Sequence, residues 1–322
     1  MSRSRVAHFS PLLLSTLLGL PPAQAQAPAD PLAARAIRLA AMSAVTGYEQ
    51  AAGDTLLQLL PGAVRDPLGN IVRPGGASRR RLVACPLDEP GWVVGGIRPD
   101  GWLTLRRTPG PVAPLRDQQL EGARVTVLGP RGAVPGVVAV RSIHLTRQRG
   151  DLSTGPFTAD SAFLDLGAAS AAEVGRLGVS PLAPVTLAKR PHRYGDGLLA
   201  APWAGRRGAC AALLEAALGT RGEQVTVAFV VQHELSAKGL AAVARRNGPF
   251  EETLIVDAGQ GSPGAAGPRP EDTELAARVT ELGRVTRLTL PVRYAGSPVE
   301  TVALTDVRAL MAEIGGWIGG AP

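Results

Sequence analysis

The chain has 322 residues, room for roughly two domains at about 100–200 residues each, and its 45% hydrophobic and 19% charged content excludes a disordered chain. Two cysteines and four histidines are too few for a disulfide scaffold or a zinc-finger array. The net charge is +7, but the basic residues are scattered, the tightest run being Arg79-Arg80-Arg81, and aromatics make up only 4%, so no nucleic-acid partner is expected.

Residues 1–27 read as a secretory signal peptide. Arg3 and Arg5 form the positive end, Pro11 to Leu20 a short apolar stretch, and Ala23-Gln24-Ala25 a small-residue cleavage site. The apolar stretch is too short to span a bilayer. The sequence therefore predicts an exported protein, periplasmic or extracellular, with no membrane contact once the signal is removed. Export permits a disulfide, but Cys85 and Cys210 each sit in an apolar run, and two separate buried thiols are the expectation.

Asp30-Pro31 opens a helix, since Asp caps free N–H groups and Pro suits the first turn. A second helix runs from Tyr48 to Leu60. The turn Asp66 to Asn70 leads into short strands, and Leu82 to Cys85 is a continuous apolar strand of the kind buried on both faces. From Gly91 the texture changes to short β-like runs between Gly/Pro turns: Trp92–Ile97, Trp102–Arg106, Arg124–Leu128, Val134–Val140, Ala162–Leu166 and Val185–Ala188, with one helix at Ala171–Leu177. This predicts a β-barrel or sandwich module. After Asp196 strands and helices alternate again. Helices are expected at Gly208–Leu218, Ala237–Arg246, Pro270–Gly283 and Ala303–Ile318, and strands at Gln224–Val231, Thr253–Val256 and Val285–Leu290. The Gly/Pro-rich segment 258–271 reads as a mobile loop. The organisation predicted is one discontinuous α/β domain, residues 28–90 plus 195–322, carrying an inserted barrel at 91–194.

Sites in open α/β sheets lie beyond the C-terminal ends of the strands. Three such ends carry Asp88-Glu89, His233-Glu234 and Asp257. Carboxylates and imidazole there suit a hydrolytic metal site, but acids at strand ends equally cap helices or face solvent. Asp165 and Asp196 read as turn residues and His192 as a surface residue. Ser236 lacks the Gly-x-Ser-x-Gly elbow of a serine hydrolase.

Ordered segments then carry a resemblance. Ala44 to Glu49, Asp66 to Ile71, Leu87 to Val94, Pro135 to Val138 with His144, Leu164 to Ala168 with Glu173, Val231 to Leu235 with Gly239, Val256-Asp257, and Arg293 to Pro298 with Glu300 resemble the successive motifs of metallopeptidase family forty-two. These are the glutamyl, deblocking and tetrahedral aminopeptidases of the zinc-aminopeptidase clan. The resemblance implies a zinc-aminopeptidase-like (phosphorylase/hydrolase-like) three-layer α/β domain with an inserted PDZ-like β-barrel used in oligomerisation. It also implies two metal ions held by His, bridging Asp, Glu, Asp and His, with a separate Glu as general base.

The departures fall on those positions. The first ligand His falls on Pro86, the bridging Asp on Ala204, the general-base Glu on His233 and the last ligand His on Gly296. Only Glu234 and Asp257 remain as ligands, and Asp88, implied to orient the missing His, stands without it. The interval from Asp257 to Gly296 is also shorter than the resemblance implies. The expectation is a pseudoenzyme: an exported aminopeptidase-family protein without the binuclear zinc site or peptidase activity, its fold kept for binding or assembly. The alternative is an active metal-dependent aminopeptidase or other hydrolase with a rebuilt mononuclear site of His233, Glu234 and Asp257. No cofactor is expected on the first reading and one Zn or other divalent metal on the second. Peptides in the vestigial cleft and a homo-oligomer through the inserted domain are the partners expected.

Overall fold

A computed structural model describes residues 30–76, 80–109, 117–140, 157–220, 225–259, 264–266 and 270–320. The signal segment, Arg79 and His144 lie outside them. In chain order the elements are α1 (Pro31–Ala40), α2 (Gln50–Leu59), β1 (Val64–Arg65), β2 (Ile71–Arg73), β3 (Arg81–Pro86), β4 (Trp92–Ile97), β5 (Leu103–Arg107), β6 (Arg124–Gly129), β7 (Gly132–Val138), β8 (Phe163–Asp165), α3 (Ala171–Arg176) and β9 (Pro184–Leu187). They continue with β10 (His192–Tyr194), β11 (Leu198–Ala200), α4 (Ala204–Gly219), β12 (Val225–Val230), α5 (Lys238–Asn247), β13 (Glu252–Gly259), β14 (Gly264–Ala266), α6 (Pro270–Arg278), β15 (Arg284–Pro291), β16 (Thr301–Ala303) and α7 (Leu304–Gly319).

Seven strands form the main sheet in the order β1-β2-β12-β3-β13-β15-β14. The inner strands β12, β3, β13 and β15 run parallel. Side chains alternate across a strand, so the two faces of β3 serve two cores. Val83 and Cys85 pack with α1, α2, α4 and α7, whereas Leu82 and Ala84 pack with α5 and α6. Helices thus cover both faces, which is the three-layer arrangement, and the unbroken apolar runs of β3 and β12 follow from it. The helix α4 is enclosed nearly all round; its Ala-rich sequence lets it lie against α1, α7 and β13.

Between β3 and the second half of the sheet, β4-β5-β8-β7-β6-β9 close into a six-stranded barrel around Trp92, Leu103, Leu105, Val125 and Val127. Closure leaves no edge strand to protect. A smaller sheet, β10-β11-β16, follows the barrel.

Three expectations are corrected. Cys85 and Cys210 form a disulfide, with Cα atoms 5.6 Å apart, rather than two separate thiols. The apolar setting of each cysteine is real, but the packing of α4 on β3 brings them face to face, and local sequence cannot report that. Helix α4 begins at Ala204, not Gly208, placing Arg206 and Arg207 inside it. Within the segment expected as a loop, Ala258 and Gly259 belong to β13 and Gly264–Ala266 to a short strand β14, while residues 260–263 and 267–269 lie outside the described residues. Among the described residues no helix is long and apolar enough to cross a membrane.

Candidate functional site

The strand order β12-β3-β13 sets three C-terminal strand ends side by side. Asp88 follows β3, His233 and Glu234 follow β12, and Asp257 sits near the end of β13. The N-terminus of α4 points Arg206 into the same space.

Asp88 is fully buried and acts as a connector. Its Oδ2 accepts from Thr46 Oγ1 (3.0 Å) and Glu234 N (3.1 Å), and its Oδ1 from His233 N (2.8 Å). A carboxylate taken out of water needs such donors. Glu49 does the same one step further out, its Oε1 accepting from Gly47 N and Gln232 N, each at 2.9 Å. Burial raises the Glu49 pKa above its ordinary value despite these bonds. Together Asp88 and Glu49 hold the turn that carries His233 and Glu234.

Glu234 and Asp257 do not face an open space. The Arg206 guanidinium lies between them. Its Nε and Nη2 donate to Asp257 Oδ1 and Oδ2 at 3.1 and 3.2 Å, its Nη1 donates to Glu234 Oε1 at 2.7 Å, and Nη1 also reaches the Asp88 carbonyl. The three side chains are only 8–10% exposed. Burial works against the charged form of Arg206, but Asp257, Glu234 and Asp88 outweigh it and hold its pKa above the ordinary value. For Asp257 burial likewise opposes ionisation, and Arg206, His233 and Arg287 overcome it and lower its pKa. Arg287 stands 3.6 Å from Asp257 while its own fork is held by Asp272.

His233 lies in a turn, not a strand, so the alternation of a strand does not separate it from Glu234. Its Nδ1 is buried without a hydrogen-bond partner. Burial first, then the charge of Arg206, lowers its pKa below the ordinary value.

The positions where the resemblance places the other ligands are accounted for. Pro86 ends β3, its Cα paired with Val230. Ala204 is the fully buried first residue of α4. Gly296 sits in a turn at φ +71° with open space where a Cβ would be. None of the three offers a donor side chain. The neighbouring Gly205 could not carry an acid either: a Cβ there would lie 2.3 Å from Val292 Cγ1 and 2.6 Å from Ala258 Cβ. Glu300 bonds both segments, its Oε1 to Gly205 N (2.8 Å) and its Oε2 to Gly296 N (2.7 Å). Five of the six described non-glycine residues at positive φ, namely Trp203, Gln232, Ser236, Ala237 and Tyr294, adjoin these segments. Such backbone strain costs about 1–3 kcal/mol per residue and gathers at functional sites.

Among the described residues, no three His, Cys, Asp or Glu side chains converge as a metal site. Two carboxylates already engaged by a guanidinium do not fit a centre of two dications, which needs several anionic donors and a bridge. Nothing local in the sequence marks the charge role of Arg206. The hydrogen-bonding roles of Glu49 and Glu300, the part played by Arg287 and a second buried group were likewise not legible in it. There Glu89 accepts from Arg207 (2.6 Å), Lys189 (2.8 Å) and Thr186 (3.0 Å). The signal available was Arg-Arg inside an otherwise apolar, Ala-rich helix. Asp165 accepts from Gly167 N in a turn, and His192 is exposed in β10, stacked on Tyr194.

Comparison with known proteins agrees with this architecture. SgcX of Escherichia coli K12, which bears an aminopeptidase name, is 30% identical over 219 residues, 64% of this chain and 57% of its own length. A lysyl aminopeptidase of Pyrococcus furiosus is 28% identical over 182 residues, 54% of this chain and 50% of its own. The matches thus span only half to three-fifths of these relatives. Among solved structures, an aminopeptidase of Desulfurococcus kamchatkensis superposes with a TM-score of 0.77 at 20% identity, covering 90% of this chain and 95% of that one. The TET1 peptidase of Pyrococcus horikoshii, described as assembling into a tetrahedron or a large octahedral shell, has a TM-score of 0.77 at 20% identity, covering 89% and 99%. These likenesses show the fold. The sequence profile described as M42 glutamyl aminopeptidase matches residues 69–277. A three-layer domain with an inserted barrel, carrying that profile over most of its length, belongs to the M42 glutamyl aminopeptidase family.

Proposed function

We propose that this chain is a pseudoenzyme of its family: an exported protein that has lost the binuclear metal site and peptidase activity and keeps the fold for binding or assembly. The observation that carries the reading is the Arg206 guanidinium bonded to both Glu234 and Asp257, the two surviving ligand-position carboxylates. A permanently charged, delocalised cation neutralises them with fixed geometry. It leaves no anionic pair free to draw a divalent ion, and it has no exchangeable water to activate. The replacements at Pro86, Ala204 and Gly296 point the same way. Export is supported by the character of residues 1–27 and by the Cys85–Cys210 disulfide, since such bonds persist in oxidising compartments. A peptide in the old cleft and self-association through the barrel remain the partners we propose, the latter because TET1 is described as a shell-forming assembly.

The test is elemental analysis of the purified protein after zinc or cobalt loading, together with an aminopeptidase assay on unblocked peptides. The expected result is no tightly bound metal and no turnover. Two equivalents of retained metal with turnover would overturn the reading. One observation favours the mononuclear alternative, the unpartnered Nδ1 of His233 beside Glu234 and Asp257. That alternative needs one retained metal equivalent that disappears in His233→Ala.

A further inference from the structure

The barrel carries a concavity lined by none of Asp88, His233, Glu234 or Asp257. It has a volume of about 540 Å³ and lies over the β6–β7 hairpin, walled by Leu166 and Gly167 after β8 and by residues 188–190 after β9. Register explains its floor. Arg124 pairs with Val137 and Thr126 with Pro135, and residues two apart on a strand share a face. Val125 and Val127 point into the barrel core, so Arg124, Thr126, Pro135 and Val137 point outward into the groove.

Its charge is distinctive. In the described part of residues 91–190, Arg98 pairs with Asp100, Arg106 with Asp160, Arg107 with Asp117, Arg176 with Glu173 and Lys189 with Glu89, while Arg131 donates to the carbonyls of Gly175 and Arg176. The side chains of Arg124 and Arg190 have no partner among the described residues, and both line this groove; Arg193, just beyond that stretch, has none either. Lys189 lines it too, but its side chain is 4% exposed and turned inward to Glu89. The one carboxylate on the wall, Asp165, is engaged by Gly167 N at 2.7 Å. Two guanidinium groups without a partner among the described residues, together with the Asp165 carboxylate, therefore border a floor on which Val137 is 47% exposed and Leu166 partly so.

An Arg fork matches a carboxylate, and an exposed valine in a concavity gains by being covered. A volume of this size is that of a small-ligand site. We infer that this groove binds the carboxyl terminus of a peptide, its terminal carboxylate on Arg124 and Arg190 and an apolar last side chain over Val137 and Leu166. A peptide end presents an anion and an apolar group on adjacent atoms, as the groove requires; a bare inorganic anion would leave the apolar floor open.

The test is isothermal titration of the full-length protein with three probes: acetyl-Ala-Ala-Leu with a free carboxylate, the same tripeptide as its C-terminal amide, and inorganic phosphate. Acetylation removes the free amine, so the probe does not report on an aminopeptidase-type cleft. The acid is expected to bind at least tenfold more tightly than the amide and than phosphate. Arg124→Gln with Arg190→Gln is expected to weaken the acid at least tenfold while leaving thermal stability unchanged, both residues being exposed and unpaired. Absence of binding by the acid, equal binding of acid and amide, phosphate binding as tight as the acid, or undiminished binding by the double variant overturns the inference. The metal measurement above is read independently, so either conclusion can fail without the other.

Discussion

Arg206 and Asp257 meet fork to fork, two parallel hydrogen bonds of 3.1 and 3.2 Å joining the first turn of α4 to the end of β13. Glu234 takes a third donor of the same guanidinium at 2.7 Å. One cation thus ties two strand ends and a helix together.

Breaking such a buried group by removing one partner leaves uncompensated charge. Arg206→Met is expected to destabilise the protein by about 3–5 kcal/mol. The further changes Glu234→Gln and Asp257→Asn, made in the Arg206→Met background, should recover a large part of that loss by removing the orphaned charges. Urea unfolding at pH 7 checks both statements. A loss below about 0.5 kcal/mol for Arg206→Met, within the range of an ordinary surface change, would show that the cation does not hold the site.

Glu89 contributes to the acid limb of stability. Burial opposes its ionisation, but Lys189 and Arg207 prevail and lower its pKa below the ordinary 4.5. A carboxylate with a depressed folded pKa contributes stability above its unfolded pKa and loses it as pH falls through the folded value. Stability should therefore fall as pH drops below about 4.5, and Glu89→Gln should show a flatter acid limb from a lower plateau. Thermal unfolding between pH 2.5 and 7 reads this directly.

Lys189 acts on the other side of neutrality. Burial, only partly offset by Glu89, brings its pKa from 10.5 down to about 8. The folded protein then releases this proton near pH 8 while the unfolded chain holds it to about 10.5, so the unfolded state binds more protons in that window. Stability relative to Lys189→Met should rise between those values, by at most about 3 kcal/mol. A difference that falls across the same window would reverse the sign and exclude the buried, desolvated placement.

The disulfide joins residues 125 positions apart and both sulfurs are buried. Thiol titration of the protein unfolded without reductant should find no free thiol, and two would refute the pairing. Replacing both cysteines by alanine should cost about 2–5 kcal/mol.

Much of this protein was legible along the chain. Strands β3, β4, β12 and β15, helices α5 and α7 and the start of α1 fall within a residue or two of their expected positions, because apolar period and Gly/Pro punctuation are local properties. The start of α4 was missed: the Trp203-Ala204-Gly205 entry has no capping side chain, and its N-terminus is held by Glu300, 95 residues on.

That Pro86, Ala204 and Gly296 carry no donor side chain is a statement about residue identity. A side chain without a donor atom coordinates nothing in any fold, so the sequence alone determined that these three positions, where the resemblance implies ligands, carry no donor. What occupies the space between the survivors is a different kind of fact. Arg206 reaches Glu234 and Asp257 across 28 and 51 residues, and Cys85 reaches Cys210 across 125. Such partners are chosen by the order of β12, β3 and β13 in the sheet and by the seating of α4 upon it. The pairing of charges and sulfurs depends on distances of a few ångströms, which only the tertiary structure decided.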